Sequence, residues 1–319
     1  MSQNQKVTIG IPTWNRSSYV VEAIRSALAQ SYQNLEIIVS DNASTDDTWE
    51  KLQQFQDNRI ALLRQQSNIG GIANLNACLR HATGEFFLLL SDDDLLAHRA
   101  IEELSAPFIT GEAGIPAASI GLVWCPCITI DADEKDVWVT SSGPRVESSA
   151  ALMTELFNGN RGPRLASVLI RTADAISAGG YNEERHNAMC DTGNWGQIAL
   201  RYDNTVCVGE ALVKYRIHSG SHTSRSLCAD WQRWGSDMHQ DLAAVLESHG
   251  NHAGYRKLMR VKNNLLANLT VDVLMRGMGK PGWKTAMAKE FWRSRRFMLT
   301  PYVARRVLRD GWKLLRVKK

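Results

Sequence analysis

The 319-residue sequence has no apolar run of the roughly 18 residues that a membrane-spanning helix needs; its most apolar stretch is Phe86–Leu90. The N-terminus lacks the apolar core of a secretory signal, and the six cysteines form neither a C-x-x-C pair nor a disulfide framework pattern. We therefore expect a cytoplasmic protein with reduced thiols. A conventional zinc site at Cys125 and Cys127 is disfavoured, because one intervening residue is too short a spacing.

The sequence also lacks both glycine-rich phosphate loops, since neither G-x-G-x-x-G nor G-x-x-x-x-G-K-[ST] occurs. This absence disfavours a Rossmann-type dinucleotide enzyme and a P-loop ATPase. What remains is an ordinary soluble composition, 44% hydrophobic and 22% charged. The length is enough for one large domain or two modest ones, with a core that needs no disulfide.

Charge is distributed unevenly along the chain. Residues 276–319 carry fourteen Lys and Arg against Glu290 and Asp310, a net charge of +12, which leaves −8 for the rest because the whole chain is +4. Segments 291–297 and 302–316 resemble basic amphipathic helices, which predicts contact with an anionic membrane surface. The alternative is the solvated face of an ordinary helical cap. No nucleic-acid motif accompanies the charge, so we expect no nucleic-acid partner.

Short β-rich runs alternate with helical spacing over the first hundred residues. The predicted strands are 7–11, 35–39, 60–63 and 86–90, and the predicted helices cover 19–28, 44–55 and 71–81. This alternation predicts an α/β fold built on a mainly parallel sheet. Further strands are predicted at 120–124, 137–139 and 167–170, then a hairpin of 206–208 with 211–217, and helices from about residue 227.

Polar residues follow three of the predicted strands, in segments 12–16, 40–46 and 91–94. Because the C-terminal ends of parallel strands lie at one sheet edge, these segments should converge on one crevice. An indole there can stack on a base, and a carboxylate can accept a base N–H. An acidic cluster repels itself unless a cation intervenes, and hard oxygen ligands suit Mg²⁺ or Mn²⁺.

Four motifs in this order, Pro12–Arg16, Val39–Thr48, Asn68–Gly70 and Asp92–Asp94, resemble the family 2 glycosyltransferases of the GT-A fold over about residues 5–220. The resemblance implies an inverting hexosyl- or deoxyhexosyltransferase that uses a nucleotide-diphosphate sugar and a divalent cation, Mn²⁺ or Mg²⁺. It implies a GT-A domain over 1–222, with a donor half to about residue 110 and an acceptor half from 111. A helical, basic C-terminal extension then covers 223–319.

The same resemblance assigns roles to residues. It places Thr13 and Trp14 at the base pocket, makes Asp41 the carboxylate that holds the base, and sets Asp92 and Asp93 against the ribose and the diphosphate. Ser91 stands where the family often has the first Asp of Asp-x-Asp-Asp. The predicted metal ligands are Asp93, preferred over Asp92 and Asp94, and His218. The predicted donor-binding residues are Thr13, Trp14, Asn15, Arg16, Asp41, Asn68, Gly70, Asp92 and Arg216.

An inverting transfer needs a base that deprotonates the acceptor hydroxyl. The family usually supplies it from an acidic residue just before a helix in the second half of the domain, and Met189–Trp195 fits that pattern. Cys190 occupies the place of the first acid of a typical pair, so Asp191 is the candidate base. A helix N-cap role for Asp191 is the alternative, and one residue can serve both roles. For His218 the alternative is an ordinary hydrogen-bonded side chain.

These observations predict a glycosyltransferase that acts on a glycan or lipid-linked glycan in surface polysaccharide assembly, peripheral on the inner face of the cell membrane. One rival is a sugar nucleotidyltransferase, which shares the sheet but should carry a glycine-rich basic loop where this chain has Trp14–Ser17. The other rival is a non-catalytic protein that binds nucleotide sugars or acts as a scaffold. Retention of Asp41, Asp92, Asp93 and Asp191 argues against it.

Overall fold

The computed structural model describes residues 5–218 and 228–277, together with Thr285 and Trp292. Within them the strands are β1 Val7–Thr13, β2 Leu35–Asp41, β3 Ile60–Arg64, β4 Phe86–Leu89, β5 Leu95–Leu96, β6 Ile120–Trp124, β7 Cys127–Ile130, β8 Asp136–Val139, β9 Val146–Ser148, β10 Val168–Arg171, β11 Asn204–Cys207 and β12 Val213–Arg216. The helices are α1 Ser17–Leu28, α2 Thr48–Leu52, α3 Gly71–His81, α4 Ala100–Thr110, α5 Ser149–Phe157, α6 Thr172–Ser177, α7 Cys190–Ala199, α8 Cys228–Ser248, α9 His252–Arg260 and α10 Lys262–Gly277.

Eight of these strands form a large sheet in the order β3-β2-β1-β4-β10-β6-β11-β9. Strands β1 to β4 run parallel, as the alternation of strands and helices predicts. Strand β10 lies between β4 and β6 and is antiparallel to both. A second, four-stranded sheet has the order β5-β12-β7-β8.

Helices cover both faces of the large sheet, so the core has two halves. The side chains of β4 alternate between them: Phe86 and Leu88 face the half that contains α1 and α4, and Phe87 and Leu89 face the half that contains α3, α5 and α7. All four side chains are buried. The continuously apolar run therefore marks a central strand covered on both faces, as the sequence predicts.

The C-terminal helices share the second half of this core. Trp231, Met238 and Leu242 of α8 and Leu258 of α9 are buried together with residues of α5 and α7. The helical extension thus packs directly on the sheet domain, while the boundary at residue 222 stays a prediction. Within the described ranges, no helix combines the length and apolarity that crossing a membrane requires. The predicted basic helices over 291–297 and 302–316 lie outside the described residues, apart from Trp292.

Two predictions about elements are wrong. The expected hairpin of 206–208 with 211–217 does not form, because β11 pairs with β6 and β9 while β12 pairs with β5 and β7. The link between them carries the chain from one sheet to the other. The predicted helix over 44–55 is only α2, because the Ser44 hydroxyl and the Asp46 carboxylate accept hydrogen bonds that shape the loop before it.

Candidate active site

The ends of β1, β2 and β4 meet at one edge of the large sheet. Thr13, the last residue of β1, lies beside Asp41, the last residue of β2. Its hydroxyl donates to Asp92 Oδ2 over 2.8 Å, which ties the end of β1 to the turn that follows β4. The three polar segments predicted to converge therefore do so at this edge.

Asn15 holds two of these loops together. Its backbone N–H donates to Ser44 Oγ over 2.9 Å, and its side-chain oxygen accepts from the backbone N–H of Thr45 over 2.7 Å. Its φ of +52° lies in the left-handed region, which Asn tolerates better than most residues. In this structure Asn15 joins the β1 and β2 loops, and its predicted contact with a donor stays a prediction.

The predicted base pocket contains a buried carboxylate and an exposed indole. Asp41 is fully buried and accepts from the backbone N–H of Ser44, while Trp14 at the rim is 46% exposed. Sequence reasoning missed Arg64, whose Nε lies 3.6 Å from Asp41 Oδ2 and whose guanidinium stacks on the ring of Trp49. The strand pairing of Asp41 with Arg64 at the end of β3 was the signal that could have found it.

Asn68 and Gly70 form a compact turn with Asn42. The Asn42 amide donates to Asn68 Oδ1 and to the carbonyl oxygen of Gly70, and Asn68 Oδ1 also accepts from the backbone N–H of Gly70. Gly70 has a φ of +91°, a conformation that favours glycine, and α3 begins at the next residue. The turn thus brings the N-terminus of α3 to the same sheet edge.

The acidic triplet that follows β4 is compensated by residues distant in sequence. Arg16 Nη1 lies 2.8 Å from Asp92 Oδ1 and 2.6 Å from Asp93 Oδ2, and His218 Nε2 lies 2.8 Å from Asp93 Oδ2. All three aspartates are buried. Arg16 supplies a positive charge to both Asp92 and Asp93, and His218 contributes a hydrogen bond to Asp93.

Because their neighbours differ, the three aspartates of the triplet differ in pKa. Burial and the charge of Asp93 raise the pKa of Asp92 to about 6, although Arg16 and the Thr13 hydroxyl oppose the rise. Burial also raises the pKa of Asp94 well above its usual range. For Asp93, burial is outweighed by the hydrogen bond from His218 and the charge of Arg16, so its pKa is lowered. Asp93 is therefore the member of the triplet that best keeps its negative charge.

Arg216 contacts the acidic turn through both its backbone and its side chain. Its Nε donates to the backbone oxygen of Asp93, and its Nη2 donates to Glu22 Oε2 over 2.9 Å and to Glu134 Oε1 over 3.4 Å. The backbone N–H of Arg216 donates to Asp94 Oδ1. Because Arg216 is 3% exposed and engaged in these contacts, it braces the acidic turn, and its predicted contact with the diphosphate stays a prediction.

The residues at the triplet suit a divalent cation. Asp93 Oδ2 and His218 Nε2 are adjacent, and a carboxylate oxygen and an imidazole nitrogen are both ligands that Mn²⁺ accepts. Asp94 Oδ2 is buried and has no hydrogen-bond partner among the residues that the structure describes. Within those same residues no group of three or more His, Cys, Asp or Glu could hold a metal. Asp93 and His218 would supply two ligands to such a cation, and a diphosphate would have to supply further oxygens.

The candidate base lies at the start of α7. Asp191 is the second residue of α7, one position further into the helix than predicted, and it is half-buried. Its Oδ1 accepts from the backbone N–H of Thr192, and burial raises its pKa. A carboxylate of raised pKa binds a proton more readily, which is what a general base requires.

Arg164 is a second residue that sequence reasoning missed. It precedes β10, whose first residues pair with the last residues of β4, so it lies at the same sheet edge as the triplet. Its guanidinium stacks over the ring of Tyr215 at 5.6 Å, and its charge lowers the pKa of Asp191 against the effect of burial. Arg164 therefore places a positive charge near Asp191.

Residues 8–123 match the family model described as "Glycosyl transferase family 2". A glycosyltransferase named GlyG from Streptococcus pneumoniae is 26% identical over 85% of this chain and 84% of its own. A GalNAc(5)-diNAcBac-PP-undecaprenol beta-1,3-glucosyltransferase from Campylobacter jejuni is 41% identical over 31% of this chain, an alignment that spans 33% of that protein. Residues 8–123 are therefore similar in sequence to the family 2 glycosyltransferases.

Solved structures support the fold independently of close sequence similarity. Residues 1–349 of Staphylococcus aureus TarS, in complex with UDP-GlcNAc, align with a TM-score of 0.60 at 17% identity over 96% of this chain and 92% of that one. The mannosyltransferase PcManGT from Pyrobaculum calidifontis, in complex with GDP-Man and Mn²⁺, aligns with a TM-score of 0.55 at 16% identity over 98% and 85%. The GT-A fold predicted from the motifs is confirmed, with helices in the C-terminal region.

Proposed function

We propose that this protein transfers a hexosyl or deoxyhexosyl group from a nucleotide-diphosphate sugar to an acceptor hydroxyl, with inversion at the anomeric carbon. The observation that carries the proposal is the carboxylate of Asp93, which Arg16 and His218 contact at the sheet edge where the strand ends converge. We assign Asp93, His218 and Arg16 to the donor side of the site, and the half-buried Asp191, whose pKa is raised by burial, to the acceptor side.

The donor side would take the nucleotide in three parts. Asp41 would accept a base N–H beneath the ring of Trp14, and the turn around Thr13 and Asp92 would hold the ribose. Arg16 would contact the diphosphate. Asp93 and His218 would hold Mn²⁺ or Mg²⁺, which when bound neutralises charge on the leaving diphosphate. That PcManGT is described with GDP-Man and Mn²⁺ and TarS with UDP-GlcNAc supports this arrangement.

On the acceptor side, Asp191 would take the proton of the attacking hydroxyl. The acceptor oxygen forms a bond to the anomeric carbon as the bond from that carbon to the diphosphate oxygen breaks, and the leaving group keeps the electron pair. Such a single displacement inverts the anomeric centre and needs one base. The raised pKa of Asp191 makes its carboxylate the stronger proton acceptor once it is ionised.

The acceptor we propose is a lipid-linked glycan of surface polysaccharide assembly. Relatives named as acting on diphosphoundecaprenol-linked acceptors support it, as do the name of a colanic acid glycosyl transferase and the basic tail of the chain. The protein would then work in the cytoplasm, peripheral on the inner membrane face. Each of these alignments covers about a third of this chain, so the acceptor remains a proposal.

Substitution of the base tests the reaction directly. A panel of UDP-glucose, UDP-N-acetylglucosamine and GDP-mannose with Mn²⁺ identifies a donor by thermal shift, since a ligand at a hundred times its Kd stabilises by about 2.7 kcal/mol. With that donor, Asp191→Asn should keep the wild-type Kd and lose turnover by about 10²–10⁴-fold. Asp203→Asn, an exposed carboxylate beyond the end of α7, is the control.

The outcomes separate the candidate functions. Turnover of Asp191→Asn within a few-fold of the wild type would remove Asp191 as the base, and Glu183 and Glu184 would be tested next. A wild type that binds donor but transfers sugar to neither water nor any glycan acceptor would support the non-catalytic binding protein instead.

A further inference from the structure

A buried histidine connects the C-terminal helices to the helix that carries Asp191. His186 is 1% exposed, and its Nε2 lies 2.8 Å from Asp241 Oδ2 on α8. Arg185 reaches the same carboxylate with two nitrogens, over 2.9 and 2.7 Å. One carboxylate of the helical extension therefore holds two consecutive residues of the segment that leads into α7.

The other side of the His186 ring packs against α7 itself. A methyl group at Gly193 would overlap His186 Nδ1, so the ring lies directly against the backbone two residues after Asp191. Nδ1 is buried and has no hydrogen-bond partner within the described part of the chain. The contact with Asp241 is thus the polar contact that keeps this imidazole in the interior.

The backbone carries the connection to the candidate base. The carbonyl oxygen of His186 accepts from the N–H of Met189, the residue before α7. At the other end of the segment, Asn76 of α3 exchanges two hydrogen bonds with the backbone of Tyr181. Residues 181–191 are therefore fixed to the donor half at one end and to α8 near the other, and they end on Asp191.

We propose that Asp241 and His186 are positioning residues, through which the C-terminal helical extension fixes the first turn of α7 and the carboxylate of Asp191. This inference rests on the proposed function for its catalytic consequence. Removal of Asp241 would leave a buried imidazole with no partner for either nitrogen, an unfavourable state that drives the ring towards water. The ring would take the turn before α7 with it, and a small displacement of a catalytic group is costly.

The test compares Asp241→Ala with Asp241→Asn, whose amide oxygen can still accept from His186. We expect Asp241→Ala to lower kcat about tenfold or more, with donor Kd and KM within twofold of wild type, and Asp241→Asn to regain most of the loss. Gly193→Ala displaces the ring from the other side and should also lower kcat with little change in KM. Glu112→Gln is the control, because the Arg145–Glu112 pair has similar exposure, 44 and 21% against 44 and 27%.

Two further measurements separate positioning from general stability. Combined with Asp191→Asn, Asp241→Ala should cause no additional loss of turnover, because it acts through a group already removed. Hydrogen exchange of amides 187–195 should speed up in Asp241→Ala and stay unchanged in Glu112→Gln. A kcat within twofold of wild type, or an additive loss in the double variant, overturns the inference.

Hydrogen exchange also tests the inference independently of the proposed function. If the wild type shows no transferase activity, or Asp191→Asn retains it, the proposed function fails while exchange still reports the mechanical link. Unchanged exchange at 187–195 in Asp241→Ala overturns the inference whatever the activity.

Discussion

Asp93 is the residue on which donor binding should depend most. Arg16 and His218 both contact its Oδ2, and together they keep its pKa low despite burial. Asp92 and Asp94, a single residue away on either side, have raised pKa values in the same interior. Three consecutive carboxyl groups thus have distinct protonation behaviour because their neighbours differ.

Asp93→Asn should abolish cation-dependent donor binding and leave the fold intact. The amide keeps the shape of the side chain but loses the charge that attracts a divalent cation. Calorimetry with the identified donor, in Mn²⁺ and then in EDTA, measures both parts. Asp57→Asn, at a carboxylate paired with Arg59, should bind like the wild type. Equal wild-type affinity with and without EDTA would contradict the metal site.

Asp92 should make stability depend on pH in a known direction. Its folded pKa of about 6 lies above the ordinary value of 3.8, so its contribution is fully present below about pH 4 and is lost as pH rises through 6. Asp92→Asn removes this dependence. Between pH 4.5 and 7.5 the variant should gain on the order of 1–2 kcal/mol of unfolding free energy relative to wild type, measured by urea denaturation. A constant difference across this range would show that Asp92 ionises normally.

Sequence reasoning found the acidic residues of the site together with Arg16 and His218, but it missed Arg64, Arg164 and His186. Asp41, Asp92 and Asp93 could be predicted because each follows a strand, and the parallel topology collects strand ends at one edge. Arg64, Arg164 and His186 come to the site through strand pairing and helix packing, which bring together residues far apart in sequence. No local pattern marks them, so their roles required the structure.

At the scale of elements, the positions of the first strands were predicted better than the way in which the later strands pair. The first four strands were predicted within a few residues, because alternating helices and apolar runs carry a strong local signal. Neither the place of β12 in a second sheet nor the antiparallel β10 at the centre of the large one could be inferred. Both depend on long-range pairing energies that the local sequence does not contain.

Arg216 connects the second sheet to the acidic turn, and its loss should weaken that junction. Arg216→Ala would leave the carboxylates of Glu22 and Glu134 unpaired and free the backbone oxygen of Asp93. Glu22 and Glu134 are 41 and 43% exposed and can be solvated, so the cost comes mainly from the lost hydrogen bonds to the backbone oxygens of Asp93 and Ala132. The midpoint of chemical denaturation should therefore fall. Arg164→Ala is a suitable comparison, because the side chain of Arg164 donates a hydrogen bond to its own neighbour in sequence, Pro163. A change no larger than that of Arg164→Ala would show that Arg216 is not a brace.

At the scale of the whole molecule, the charge asymmetry predicts where the protein works. Deletion from Arg293 onward should shift it from the membrane to the soluble fraction, because residues 276–319 hold a net +12 against −8 elsewhere. Binding should weaken at high salt, since screening acts over roughly 8–10 Å at physiological ionic strength. Sedimentation with anionic and neutral vesicles at two salt concentrations measures this. Full-length protein that stays in the supernatant with anionic vesicles at low salt would contradict the membrane assignment.

The central place of β10 has a consequence for how the chain is made. Strands β4 and β6 both precede β10 in the sequence, yet β10 must enter between them. A ribosome that adds roughly 5–20 residues per second needs several seconds to proceed from Leu89 to Arg171. During that interval the two apolar strands have open edges, which are prone to pair with other chains. Residues 8–123, which match the family model, therefore cannot complete the large sheet until β10 has been synthesised.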